Sequence, residues 1–172
     1  MKFDLVGVVA EEACLVSASL GLPRMSPILL GQGWSLLPIT RALHVASTGA
    51  HATTVDGLSH LRQGLAQRLA HASYAGVIAY IEADFRGGIG GQASIVWHNG
   101  AVSLGPLSCS HSGGRVPVIA EWPINRALRH LGVLATPGRD EFDTLRLGRF
   151  NTTEAWADSA EPDRGRRWSS VA

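Results

Sequence analysis

Five polar residues sit along two neighbouring apolar segments: Glu82 and Asp84 in the first, Gln92, Ser94 and His98 in the second. If both segments are strands, side chains alternate between faces, so Glu82 and Asp84 stand side by side. Two close carboxylates repel, which can raise one pKa and fit it for acid/base work. A carboxylate pair with a histidine, here Glu82, Asp84 and His98, is also a set that could hold a metal or serve a small hydrolase. The same polar face is equally what the wet side of an antiparallel sheet presents. No catalytic residue, metal ligand or cofactor is assigned on this basis.

Three further groups invite a chemical reading. Arg86-Gly-Gly-Ile-Gly-Gly-Gln92 is glycine-rich. Phosphate loops, however, lead into a helix and often carry Lys-Ser/Thr, and here a strand follows. Cys109-Ser-His111 offers a thiol near an imidazole, but no orienting motif accompanies it, and zinc needs about four suitably spaced ligands. Asp140, Glu141 and Asp143, interleaved with Arg139, Arg146 and Arg149, read as a salt-bridged surface or as an acidic patch that docks a basic partner.

The elements that must position these residues centre on 76–107. Strands are expected at 77–85, 92–98 and 101–107, as an antiparallel meander. Asn99-Gly100 is a strong type I′ hairpin signal. It sets His98 opposite Ala101, Trp97 beside Val102 and Ile95 beside Leu104. Ala79, Ile81 and Ala83 share one face with Val77 and Phe85; Ile78, Tyr80, Glu82 and Asp84 share the other. The loop 86–91 carries four glycines.

Upstream, the sequence predicts a strand at 3–10, a helix ending near Gly21, a connector at 23–33, a strand at 34–39 and a helical turn at 40–46. The clearest helix is 55–73, where Leu58, Leu61, Leu65 and Leu69 form one stripe. Downstream come a loop at 108–115, an edge strand at 116–120 and a helix at 123–131 that opens on proline and closes before Gly132. Short turns follow at 140–147 and, behind a capping-box-like Asn151-Thr-Thr-Glu154, at 151–156.

The chain has 172 residues, 45% hydrophobic and 17% charged, enough for one domain with a core. A net charge of +1 gives no general attraction to nucleic acid or anionic membrane. Lys2 is the only lysine among fifteen Lys and Arg residues, which reads as a GC-rich coding background. Cys14 and Cys109 are expected to be free thiols. Asp4, Glu11 and Glu12 interrupt the apolar N-terminal run, and no stretch reaches the roughly 18 apolar residues of a membrane helix. The expected compartment is the cytoplasm.

Four segments, at 31–40, 79–93, 123–128 and 138–143, together resemble a group of small uncharacterised bacterial proteins from GC-rich genomes. In size and α+β pattern the chain is also similar to immunity proteins of bacterial toxin systems. That likeness carries no catalytic residue across. It implies a protein-binding module that inhibits a cognate toxin.

The expected fold is one α+β domain over 1–157. Its antiparallel meander sheet has helices 55–73 and 123–131 packed on one face, and 158–172 forms a flexible tail. The expected function is a cytoplasmic protein-binding module of immunity type, with a protein partner and no nucleic acid or membrane. Its contact residues are Tyr80, Glu82, Asp84, Arg86 and Gln92 on a wetted hairpin face, joined by Asp140, Glu141 and Asp143.

Overall fold

The computed structural model describes residues 2–19, 26–47, 53–113 and 121–160. The elements are β1 (Lys2–Glu11), α1 (Glu12–Ser19), β2 (Ile28–Gly31), β3 (Trp34–Pro38), α2 (Arg41–Ser47), α3 (Gln63–Ala72), β4 (Ile78–Arg86), β5 (Ile89–His98), β6 (Ala101–His111), α4 (Pro123–Leu131), α5 (Glu141–Thr144) and α6 (Thr153–Ala160). The six strands form one antiparallel sheet in the order β2-β3-β1-β4-β5-β6. The α+β expectation and the β4-β5-β6 meander hold. The expected edge strand at 116–120 lies outside the described residues. Of the expected tail at 158–172, residues 158–160 are instead the last residues of α6, and the rest lies outside the described residues.

The two main helices lie on opposite faces, not on one. Tyr80, Ile78, Val8, Ala10, Ile95 and Trp97 pack with Leu61, Leu65 and Leu69. Ala79, Ile81, Ala83, Val9 and Val96 pack with Ile124, Leu128 and Trp156 on the other side. The physical reason is the unbroken apolar run in β4. Both of its faces are apolar, so both must be covered, as in sheets buried on two sides. The face expected to be wet, with Ile78 and Tyr80, is therefore buried under α3 and α1.

Register explains two further departures. His98 faces Ala101 and Trp97 faces Val102, as expected, but Leu104 lies opposite Val96 rather than Ile95. The ladder shifts register between Ser94 and Trp97, with Gly105 in the left-handed region (φ 93°) opposite the shift. The glycine loop shrinks to a two-residue turn, Gly87-Gly88, at φ 60° and 82°. Gly90 and Gly91 already belong to β5, and a Cβ at Gly90 would strike the Asp84 carbonyl. β6 likewise runs on to His111, so Cys109 and His111 sit in a strand rather than a loop.

α4 has the expected bounds and ends in a left-handed Gly132 (φ 99°). Its N-cap Trp122 makes no side-chain cap bond. The Ile124 N–H donates instead to Gln92 Oε1 at 3.3 Å, and Ser94 Oγ donates to the Pro123 carbonyl at 2.7 Å. Two polar residues of β5 thus serve the helix start, where orphan backbone groups need partners. α6 is capped one residue later than expected: Thr152 Oγ1 accepts the Ala155 N–H at 3.2 Å. Cys14 is buried and Cys109 half-buried, both as free thiols.

Because Leu69 and Leu128 lie on opposite sides of the sheet, Leu69→Ala and Leu128→Ala should each cost about 2–5 kcal/mol. Their effects should add within about 0.5 kcal/mol in chemical denaturation. Strong coupling between them would mean a shared cavity and would refute the two-faced core.

Candidate functional site

On the α3 side of the sheet, β1 and β4 align a graded series of cross-strand pairs: Ala10 with Ile78, Val8 with Tyr80, Val6 with Glu82, Asp4 with Asp84, and Lys2 with Arg86. The first two pairs are buried under α1 and α3. The last two stand at an open end of the sheet. Glu82 marks the boundary.

Glu82 is 5% exposed. Its Oε2 accepts the Ser59 N–H at 2.9 Å, and its Oε1 accepts the His60 N–H at 2.8 Å and the Leu61 N–H at 3.0 Å. The Tyr80 hydroxyl adds a fourth bond, to Oε1, at 3.0 Å. Four donors on one carboxylate satisfy the condition for burying a charge. They also explain why the helix expected from residue 55 starts only at Gln63. The amides of 59–61 turn toward Glu82, and Gly57 takes a left-handed φ of 82°. Leu58 and Leu61 still reach the core from this loop. Burial first, and then the Glu82 charge and hydrogen bond, push the Tyr80 phenol well above its ordinary range.

Beyond Glu82 lies a cleft of about 520 Å³. Its floor and strand wall are Lys2, Asp4 and Val6 of β1 and Ala83, Asp84 and Arg86 of β4. Ile39, Arg41 and His44 line it from α2 and its approach, His60 and Arg62 from the loop, Thr153 and Glu154 from α6. Lys2 Nζ lies 2.7 Å from Asp4 Oδ1, and Arg86 Nε 3.6 Å from Asp84 Oδ1. The His44 and His60 rings are 6.0 Å apart between centroids. Burial, then the charges of His60 and Arg62, hold His44 below the ordinary imidazole range, against the opposing pull of Glu82.

α6 reaches this cleft because β3 stops short. β3 pairs with Gly7–Glu11 of β1 only. The remaining edge is closed by the Asp4 N–H donating to the Asn151 carbonyl at 2.9 Å and the Val6 N–H donating to Thr153 Oγ1 at 2.9 Å.

The structure redistributes the residues expected to contact a partner. Tyr80 and Glu82 are buried in the protein's own interior. Gln92 is occupied by the α4 amide. Glu141 is buried and held by Arg129, with Nε–Oε1 at 2.8 Å and Nη2–Oε2 at 3.2 Å. That pair raises the Arg129 pKa further. Asp140 caps α5 by accepting the Asp143 N–H at 2.8 Å, and it accepts from Asn125 Nδ2 at 3.1 Å. Only Asp84, Arg86 and Asp143 remain exposed. The Glu82, Asp84 and His98 set also dissolves. His98 lies five residues along β5 from Ala93, the partner of Glu82, or about 17 Å at strand spacing. Among the described residues no group of three His, Cys, Asp or Glu side chains is placed to hold a metal.

The cleft cations Arg41 and Arg62 and the imidazoles of His44 and His60 escaped the sequence reading. Each sits in a segment with no motif, and only the tertiary fold assembles them. No protein-family model matches the chain, and no curated protein or solved structure matches it either. No helix among the described residues is long and apolar enough to cross a membrane.

Glu82→Gln would set an amide donor against backbone donors, so it should cost about 1–3 kcal/mol although the shape is kept. A stability unchanged from the parent would refute the clamp. Tyr80 supplies a pH test. A folded-state pKa above the unfolded one stabilises fully below the phenol's ordinary value and is lost as pH rises past it. In a Tyr74→Phe background, the absorbance step at 295 nm should coincide with loss of circular dichroism at alkaline pH. Phenolate formation in a still-folded chain would contradict the buried hydroxyl.

Proposed function

We propose that the chain is a protein-binding module that docks its partner through the tip of the β4–β5 hairpin. The observation that carries this reading is the turn at Gly87-Gly88. The ladder continues to Arg86 opposite Ile89, so strand pairing fixes the tip's backbone up to the turn. Ile89 is 57% exposed there. Arg86 and Asp84, with side chains 73% and 50% exposed, flank it. An apolar anchor ringed by charged groups is the anatomy of an interface centre.

The immunity-type form of this proposal, an inhibitor seated on a cognate toxin, follows the resemblance of size and α+β pattern. Such an inhibitor needs a preformed surface rather than a catalytic set, and it blocks its target sterically or electrostatically. The opposite charges of Arg86 and Asp84 suit a partner surface carrying both signs. Of the small-hydrolase alternative's three residues, Glu82 is buried and His98 lies far along β5, which leaves Asp84 without either partner.

The test is affinity capture with the tagged chain and with an Asp84→Arg, Arg86→Glu, Ile89→Ser variant. The parent should retain a stoichiometric protein partner. The variant should bind it about a hundredfold more weakly, as loss of an interface centre does, with its melting temperature unchanged. Equal retention by both would exclude the hairpin tip. Absence of any stable protein partner would overturn the binding-module reading itself.

A further inference from the structure

We infer that the cleft at the open end of the sheet binds a small organic phosphate, with the phosphate group held by Arg41, His44, His60 and Arg62. This goes beyond the docking role proposed for the hairpin tip and does not depend on it.

The argument begins with size. At about 520 Å³ the cleft falls within the range of small-molecule sites. Charge then gives it a direction. Four permanent cations and three carboxylates line it, and two of the carboxylates, Asp4 and Asp84, lie beside Lys2 and Arg86 on the strand wall. The opposite wall, from α2 and the 53–62 loop, lines the cleft with two guanidiniums and two imidazoles. Arg41 and His44 are three apart on a helix and therefore neighbours on its surface. His60 brings the loop to within a ring contact of His44.

Donors lining one cleft from both a helix and a loop suit a tetrahedral group with three acceptor oxygens better than a planar carboxylate. Guanidinium forks bind such oxygens two at a time. Asp4, Asp84 and Glu154 then accept hydroxyl groups from the organic part. A site with carboxylate acceptors on the strand wall, each beside a cation, and further cations on the opposite wall discriminates a sugar-sized phosphate from a bare anion.

The experiment is calorimetric titration of the full chain with ribose 5-phosphate and glucose 6-phosphate, and with inorganic phosphate, ribose and citrate as comparisons. The sugar phosphates should bind with Kd on the order of 10–1000 μM, inorganic phosphate more weakly, and ribose undetectably. Arg41→Gln combined with Arg62→Gln should weaken sugar-phosphate binding at least about tenfold, since a charge-assisted contact is lost at each site. Arg149→Gln, outside the cleft, should change nothing. If the double variant fails to fold, Arg41→Gln alone, at an exposed position of α2, should still weaken binding several-fold. Four results would overturn the inference: no sugar phosphate binding at concentrations of about 10 mM, citrate or inorganic phosphate binding as tightly as the sugar phosphates, ribose binding as well as its phosphate, or arginine variants with parental affinity.

Discussion

A single buried carboxylate sets the layout of this protein. Taking the Glu82 charge out of water is expensive unless hydrogen bonds replace the lost hydration. Here three consecutive backbone amides and a phenol do so, all within 3.0 Å. The exchange is mutual, because the amides of Ser59, His60 and Leu61 would otherwise be orphaned at the entry to α3. The loop closes on itself as well: the Val55 N–H donates to the Leu61 carbonyl, and Gln63 N–H to the Thr53 carbonyl. One side chain therefore fixes where α3 begins, where the loop lies on the sheet, and how far the apolar layer extends.

From that boundary the two halves of the sheet face follow different rules. Above it, Tyr80, Val8 and Ile95 require a cover, and the leucines of the loop and α3 supply it. Below it, Asp4 faces Asp84 and Lys2 faces Arg86 across the strands. Directly opposed like charges are unfavourable in a ladder. Stacking an acidic row on a basic row offsets this, since each aspartate has a cation next along its own strand. Such a quartet cannot be covered by an apolar helix, and the sheet stays open there.

Much of this was legible in the residues. Asn99-Gly100 announced its hairpin, and the Pro123 start and Gly132 stop bounded α4, because turn and cap chemistry is local. The pairing of Trp97 with Val102 followed from the turn. What the pattern does not encode is which face of a strand is covered. Period two sorted Tyr80 and Glu82 together correctly, but Glu82 and Asp84 look alike in sequence. One is held by amides twenty-odd residues upstream, and the other meets water. The continuous apolar run 77–81 did carry the signal that both faces are buried. The two carboxylates just after it argued the other way. Asp140 and Glu141 show the same limit: an acidic run resembles a docking patch until a helix cap and Arg129 claim its members.

The open surface at this end of the sheet is then a consequence of the clamp rather than an addition to it. Had residue 82 been apolar, the loop could continue its helix over the end of the sheet, and Asp84 would lie beneath it. With Glu82 in place, the cover stops at His60 and Arg62, whose side chains border the space that remains. α2 closes one flank and the segment from Asn151 closes the other, each following from the early end of β3. The cations of the cleft thus come from elements positioned by fold-level needs, namely a buried charge and an unfinished strand edge. Asp84 and Arg86 belong both to the cleft lining and to the exposed hairpin end, so the charge of the two surfaces is set by the same pair.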